Sequence, residues 1–272
     1  MSATTAPVQA SEPAQRPARR GLSKRARIRL LQLAGVVTFL VIWQVGDSTR
    51  PQFYSTPKLV FEDIVTLFTE EGLASTAVGS LTALAIGLSL AFVIGVTTGL
   101  LIGRYHVLRV MAEPYMAAFY SVPRVAFIPI LVVWFGIGRE FVVASVVFAS
   151  SILITFATAA GVRDSVLHYT EVSESFGING RHFFLRVLLL ASLPFIANGT
   201  RLSIQRALVA VIVAEFLVGV PGLGFVIRTA RVTLQADRLF AMAVLLMILG
   251  IILFNVTTRI EKRLSRWRPD AF

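Results

Sequence analysis

Arg124, Arg201 and Arg206, with Asn198, Gln205 and Glu215, lie inside long apolar runs. A charge in such a run is expensive and normally faces a bundle interior or a water-filled path. A guanidinium carries forked donors that match the oxygens of a carboxylate, sulfonate or nitrate. Arg124 directly follows Pro123, and a proline-broken span also frees backbone groups that can meet a ligand. On a helix, Asn198, Arg201, Gln205 and Glu215 fall within about 100° of arc, while Arg206 lies off that stripe. Leu208 and Ile212 interrupt the same face, so the pattern suits a pathway lining with a hydrophobic constriction. Other roles stay open: Arg124 as a gate or cap, Arg201 snorkelling to a membrane surface, and Glu215 paired with an arginine of a neighbouring helix.

Covalent chemistry finds little to work with. The chain has no cysteine, which removes disulfides, thiolate metal sites and thiol nucleophiles. His106, His168 and His182 are dispersed rather than spaced as ligands on one helix, so no metal site is expected. No carboxylate pair or serine–histidine set suggests an enzyme.

A second unusual stretch is EVSESFGINGRHFFLRVLLLASLP, residues 171–194. Val166, Leu167, Val172 and Phe176 recur at roughly helical spacing before it reaches Gly177. Gly177 should end one helix, and Asn179 and Gly180 permit a reversal into another. Two short helices around a turn, with charged and apolar residues mixed, suit docking into a groove on a soluble partner.

The elements that must position these residues are membrane spans. Of 272 residues, 56% are hydrophobic and 15% charged, against about a quarter charged in soluble domains. An apolar run of about 20 residues crosses a bilayer as a helix, and six runs qualify, at 28–46, 77–103, 112–136, 140–161, 195–218 and 239–258. The expected fold is therefore an all-α, six-span integral membrane protein. Pro114, Pro123 and Pro129 should break the third span. TPKLVFEDIVTLFTEEG, after the first span, reads as an amphipathic helix at the membrane surface, and residues 222–234 as a short interfacial or re-entrant helix beyond a tight turn. Ala83, Gly87, Ala91, Gly95, Gly99 and Gly103 place a small residue at every fourth position of the second span, which should pack closely on a neighbouring helix.

Residues 1–25 read as a disordered basic tail, 26–75 as the first span and amphipathic helix, 76–262 as a core containing the loop at about 163–193, and 263–272 as a second tail. The net charge of +11 does not point to nucleic acid, because its basic residues flank the apolar runs. Seventeen of the 26 Lys and Arg fall on the side holding both termini and the 171–194 stretch, and six on the other. Positive-inside then puts both termini in the cytoplasm.

Glu171, Gly177 six positions later and Pro194 seventeen after that resemble the "EAA" loop of binding-protein-dependent ATP-binding cassette permeases, with Val172 and Ser173 in place of the alanines and Leu190 where many members carry a second proline. TPKLVFEDI, SVPRVAFIPILVVWFGIG, RLSIQRALVAVIVAEF and GVPGLGFVI, in that order, are similar to the subfamily importing nitrate, taurine, alkanesulfonates and related small anions. Some relatives in it carry vitamin precursors or aromatic acids. The resemblance implies a type I importer permease in the bacterial inner membrane without its own engine. No G-x-x-x-x-G-K-[ST] phosphate loop is present. ATP and Mg would belong to two nucleotide-binding subunits, and cargo would come from an extracytoplasmic binding protein. A second, identical permease chain is expected as partner. By position, Glu171, Ser175, Phe176, Gly177, Ile178, Asn179 and Pro194 are implied as coupling residues, and residues 219–240 as part of an external gate. An ion-coupled carrier or channel working through Glu215 and the arginines within the spans is the alternative of another class.

Overall fold

The computed structural model describes residues 24–45, 54–178 and 180–264; the two expected tails and Asn179 lie largely or wholly outside these. Residues 1–46 form one compact unit and 47–272 another. In the first, α1 (Lys24–Val45) is a single helix long and apolar enough to cross a membrane.

Every regular element among the described residues of the second unit is a helix. Thr56 opens α2 (Pro57–Thr69) by accepting the Leu59 N–H on its side-chain oxygen, and Pro57, which has no N–H to leave unpaired, occupies the first turn. α2 buries Val60 and Leu67 and packs on α10 (Ala236–Leu264). Arg238 of α10 pairs with Asp63 at 3.6 Å and with Glu71. Burial raises the Asp63 carboxyl above its ordinary value, against the opposing pull of Arg238.

The centre of the unit is α3 (Leu73–Arg104), α6 (Arg139–Ser175) and α8 (Leu189–Val218), whose mutual faces hold the core. The small residues of α3 meet α6. A Cβ added at Gly87, Gly95, Gly99 or Gly103 would lie 2.6, 2.7, 2.5 and 2.6 Å from the Cβ of Val146, Ile154, Thr158 and Val162. Those partners also follow a four-residue step, so the i±4 ridges of both helices mesh. The backbones come close enough for the hydroxyls of Thr98 and Thr155 to bond at 2.9 Å. On the other side of α6, Gly161 receives the Phe195 ring of α8. Ser150 and Ser203 each donate to the other's backbone carbonyl, at 3.5 and 3.3 Å, across the same interface. Without water in a bilayer, such pairs satisfy hydroxyls that would otherwise be stranded.

The third expected span is broken. α4 (His106–Ser121) gives way to a 3-10 turn at Arg124–Phe127 and then α5 (Ile128–Phe135), with a bend of 96°. Val122 is extended, as the residue before a proline must tend to be, and Pro123 and Pro129 bracket the turn.

Two boundaries differ from those expected. The fourth span does not stop near 161: α6 runs 37 residues without interruption to Ser175. That is about 55 Å of helix, well beyond the ~30 Å of hydrocarbon a span must cross. Arg163, Asp164 and Glu171 change which solvent the helix meets but break no backbone bond, so the first short helix of the 171–194 stretch is the end of α6. The second is likewise no separate piece. α7 (Gly180–Phe183) passes through a π turn at Phe184–Leu188 into α8, and Pro194 sits inside α8 rather than ending a helix. The widened turn lies just upstream of the proline, where a helix interior must accommodate the lost N–H.

Beyond α8, the GVPG turn leads into α9 (Leu223–Val232), bent by 45° from α8. α9 packs against α8, α10 and α3.

Candidate translocation cavity and coupling surface

A cavity of about 720 Å³ opens at the corner between α4 and α5, walled by α6 and α8. The SVPRVAFIP sequence builds the corner, and three rings fix it to α6. Phe127 of the 3-10 turn lies 4.8 Å from Phe148 of α6, and Phe119 of α4 lies 6.0 and 6.2 Å from those two. Arg124, Gln205 and Arg206 provide the long polar side chains of the lining, against Phe148, Leu202 and Val209. Two arginines and a glutamine around a mainly apolar space, with Ser121 and Ser145 also in its wall, suit a small ligand with several oxygen acceptors.

The stripe expected on the fifth span does not stay together. Gln205 lines the cavity, and so does Arg206 from beside the stripe, since a corner wide enough for a ligand spans adjacent helical positions. Arg201 instead reaches α10, where it pairs with Glu261 at 3.0 Å, donates to Asn198 Oδ1 at 3.0 Å and lies over the Phe254 ring. Neither Asn198 nor Arg201 lines the cavity. Arg201→Met should destabilise the protein by about 1–3 kcal/mol by stranding a largely buried carboxylate, and Glu261→Gln in the same chain should recover part of it. Thermal unfolding of the two single variants and the double variant in detergent checks this.

Glu215, only 2% exposed, does not face the cavity either. Its Oε2 accepts the Gly224 N–H at 2.9 Å, and its Oε1 accepts the Ser80 hydroxyl at 2.7 Å. Ser80 Oγ in turn accepts the Leu223 N–H at 2.9 Å. The pairing with an arginine considered from the sequence is replaced by a cap on α9. Ser80, the residue that sequence reasoning missed, offered one faint signal: it is a serine near the start of an apolar span. Nothing local links it to a glutamate 135 positions away.

At the opposite end, α6 closes with a Schellman motif: Ile178 N–H donates to Ser173 O at 2.8 Å and Gly177 N–H to Glu174 O at 2.9 Å. Gly177 takes the left-handed conformation at φ +69°, which a side chain would strain. Ser175 Oγ donates to Glu171 O at 2.9 Å. Of the two positions where alanines stand in the loop pattern, Ser173 is buried and demands a small side chain, whereas Val172 is exposed. Phe176 projects with 77% of its surface exposed, beside half-exposed Val172 and strongly exposed Leu167. Val162, Phe183 and Leu188 form a small core that anchors α7 and the π turn against α6. Glu171, Ser175, Phe176, Gly177 and Ile178 therefore share one terminus; Asn179 lies outside the described residues, and Pro194 lies more than three turns into the following helical run. Among the described residues no group of His, Asp and Glu gathers as a metal site.

Several known proteins resemble this chain. A probable ABC transporter permease protein of Brucella abortus is 28% identical over 84% of this chain and 92% of its own length. The taurine transport system permease protein TauC of Escherichia coli is 25% identical, covering 92% of this chain and 93% of the relative. The formylaminopyrimidine transport permease protein ThiX of Halalkalibacterium halodurans is 28% identical over 84% and 92%. In fold, a chain of the MetNI methionine ABC transporter in an inward-facing conformation aligns with a TM-score of 0.62 at 20% identity, over 71% of this chain and 95% of that one. Residues 91–266 match the family model described as binding-protein-dependent transport system inner membrane component. That match runs from the middle of α3 to just beyond α10, including the corner, the Gly177 terminus and α9, and so the chain belongs to that family: it is a non-enzymatic, multi-pass permease subunit of an ABC importer with the type I fold.

Proposed function

We propose that this permease imports a small organic or inorganic anion, of the sulfonate, carboxylate or bicarbonate kind, through the cavity at the α4–α5 corner. The observation carrying the reading is the convergence of Arg124, Gln205 and Arg206 on that one space. The relative named for taurine transport fits this chemistry. Separate nucleotide-binding subunits hydrolyse ATP, with Mg, and dock at the Gly177 terminus through Glu171, Ser175, Phe176, Gly177, Ile178 and Asn179. That terminus and both chain ends face the cytoplasm. An extracytoplasmic binding protein delivers cargo at the α9 end, and two identical chains pair about a twofold axis, one for each ATPase subunit.

A second reading keeps the importer and changes the cargo to a vitamin precursor. The relative named for formylaminopyrimidine transport favours it, as does the aromatic wall at Phe148.

Uptake by the complete transporter in proteoliposomes separates the two. Arg124→Ala should reduce anion uptake by about 10- to 100-fold, the loss expected for one charge-assisted contact. Arg124→Lys should recover part of the activity, because it keeps the charge and loses the fork. Uptake of a neutral pyrimidine that is indifferent to both substitutions would establish the second reading instead.

A further inference from the structure

α9 begins with a problem common to helices: its first N–H groups have no partner within the helix. No side chain of the preceding GVPG turn caps it. The N–H groups of Leu223 and Gly224 are instead taken by Ser80 of α3 and Glu215 of α8. The Ser80 hydroxyl has a single proton. Because its oxygen accepts from Leu223, that proton goes to Glu215 Oε1 and closes a relay across three helices. Both carboxylate oxygens accept, and the carboxylate lies at the positive end of the α9 dipole.

Sequence around the relay is shaped to admit it. A Cβ on Gly222 would collide with the Glu215 carboxyl, and one on Gly224 with the Ile212 carbonyl of α8. Gly222 has an extended backbone that any residue could adopt, so its need for glycine is spatial. Ser80 and Glu215 are 3% and 2% exposed, which keeps water from replacing any member of the relay.

We propose that Glu215 and Ser80 act as a clasp that makes α9 a rigid extension of α3 and α8, so that this short helix travels with them through the transport cycle. Packing on α8, α10 and α3 holds α9 by apolar contact, which allows sliding and pivoting. The clasp adds directional hydrogen bonds from the first turn of α9 to α3 and α8, and makes Glu215 and Ser80 positioning residues for transport. They need not touch cargo, and the idea does not depend on which cargo is carried.

The chain has no cysteine, so within the purified permease spin labels attach only at Val78→Cys on α3 and Thr229→Cys on α9, and the labelled permease is then assembled with its partner subunits. Both positions are exposed. Distances should be measured in the complete transporter in nanodiscs, first without nucleotide and then trapped with ATP and vanadate. With the doubly labelled chain diluted by unlabelled chains, so that only spin pairs within one chain are read, the clasp predicts one narrow distance distribution, the same in both states. Ser80→Ala should add a second, longer-distance population of roughly one tenth to one half, as loss of one or two buried hydrogen bonds permits. It should also lower transport per ATP hydrolysed. Ser80→Thr, which keeps the hydroxyl, should restore both. A distance that shifts between the two states of the labelled parent overturns the proposal, whatever the variants do. So does a Ser80→Ala protein whose distribution stays single and narrow.

Discussion

Gly99→Leu is expected to leave no stably folded permease. A Cβ alone at this position would stand 2.5 Å from Thr158 Cβ and 2.8 Å from the Thr155 carbonyl oxygen, and a leucine adds three carbons to that collision. Overpacking costs about 1–3 kcal/mol where side chains can shift. Here one neighbour is backbone on a helix gripped along its length, so the strain cannot be relieved locally. Separating α3 from α6 also breaks the Thr98–Thr155 hydroxyl pair and opens the contacts at Gly95 and Gly103, one turn to either side. Gly79 supplies the control. It lies on the same helix with nothing within 4 Å of an added Cβ. Gly79→Ala should be neutral or stabilise by about 0.5–1 kcal/mol through helix propensity. Thermal melting followed by size-exclusion chromatography in detergent distinguishes the pair, and equal melting temperatures for Gly99→Leu and the parent would show that α3 and α6 do not pack as described.

Phe176→Asp should leave folding untouched and remove function. The ring is 77% exposed, so its replacement costs the isolated permease almost nothing. An apolar anchor that fits a groove on a partner commonly carries about 2–4 kcal/mol of binding, and a carboxylate in its place adds desolvation. ATPase binding is therefore expected to weaken by about 30- to 1,000-fold. Gly177→Asp should act by another route, distorting the left-handed turn that aims the ring, and should leave membrane insertion intact. Co-purification with the ATPase subunit and cargo-stimulated ATP hydrolysis are the measurements. If both variants couple normally, this terminus is not the dock.

The spans could be read from sequence because each is set by a one-dimensional property, the length of an apolar run. The glycine ladder of α3 was equally legible, since its four-residue step is the step of the contact it makes. Pro123 and Pro129 announced the broken third span for a local covalent reason, whereas Pro114, also expected to break it, sits inside α4. What escaped was set by neighbours distant in sequence. At 100° per residue, Asn198, Arg201, Gln205 and Glu215 fall on one side of a helix. That arc alone could not show that this side passes three different neighbours: α10 at Arg201, the α4–α5 corner at Gln205, and α9 at Glu215. Charge misled at Arg163 and Asp164 for a related reason, because polarity marks where a helix leaves lipid and says nothing about whether it ends there.

The uninterrupted course of α6 sets how movement at one end is felt at the other. A rod with no hinge between Gly138 and Phe176 behaves as a lever. Tilting ~55 Å of helix by ~5° about its middle displaces each end by ~2 Å, in opposite directions. Phe176 is at one end of that lever, and Phe148, which walls the cavity, is on the other arm. A push on the exposed ring would therefore reach the cavity as a counter-stroke, and α3, meshed with α6 along the glycine seam, would be carried with it.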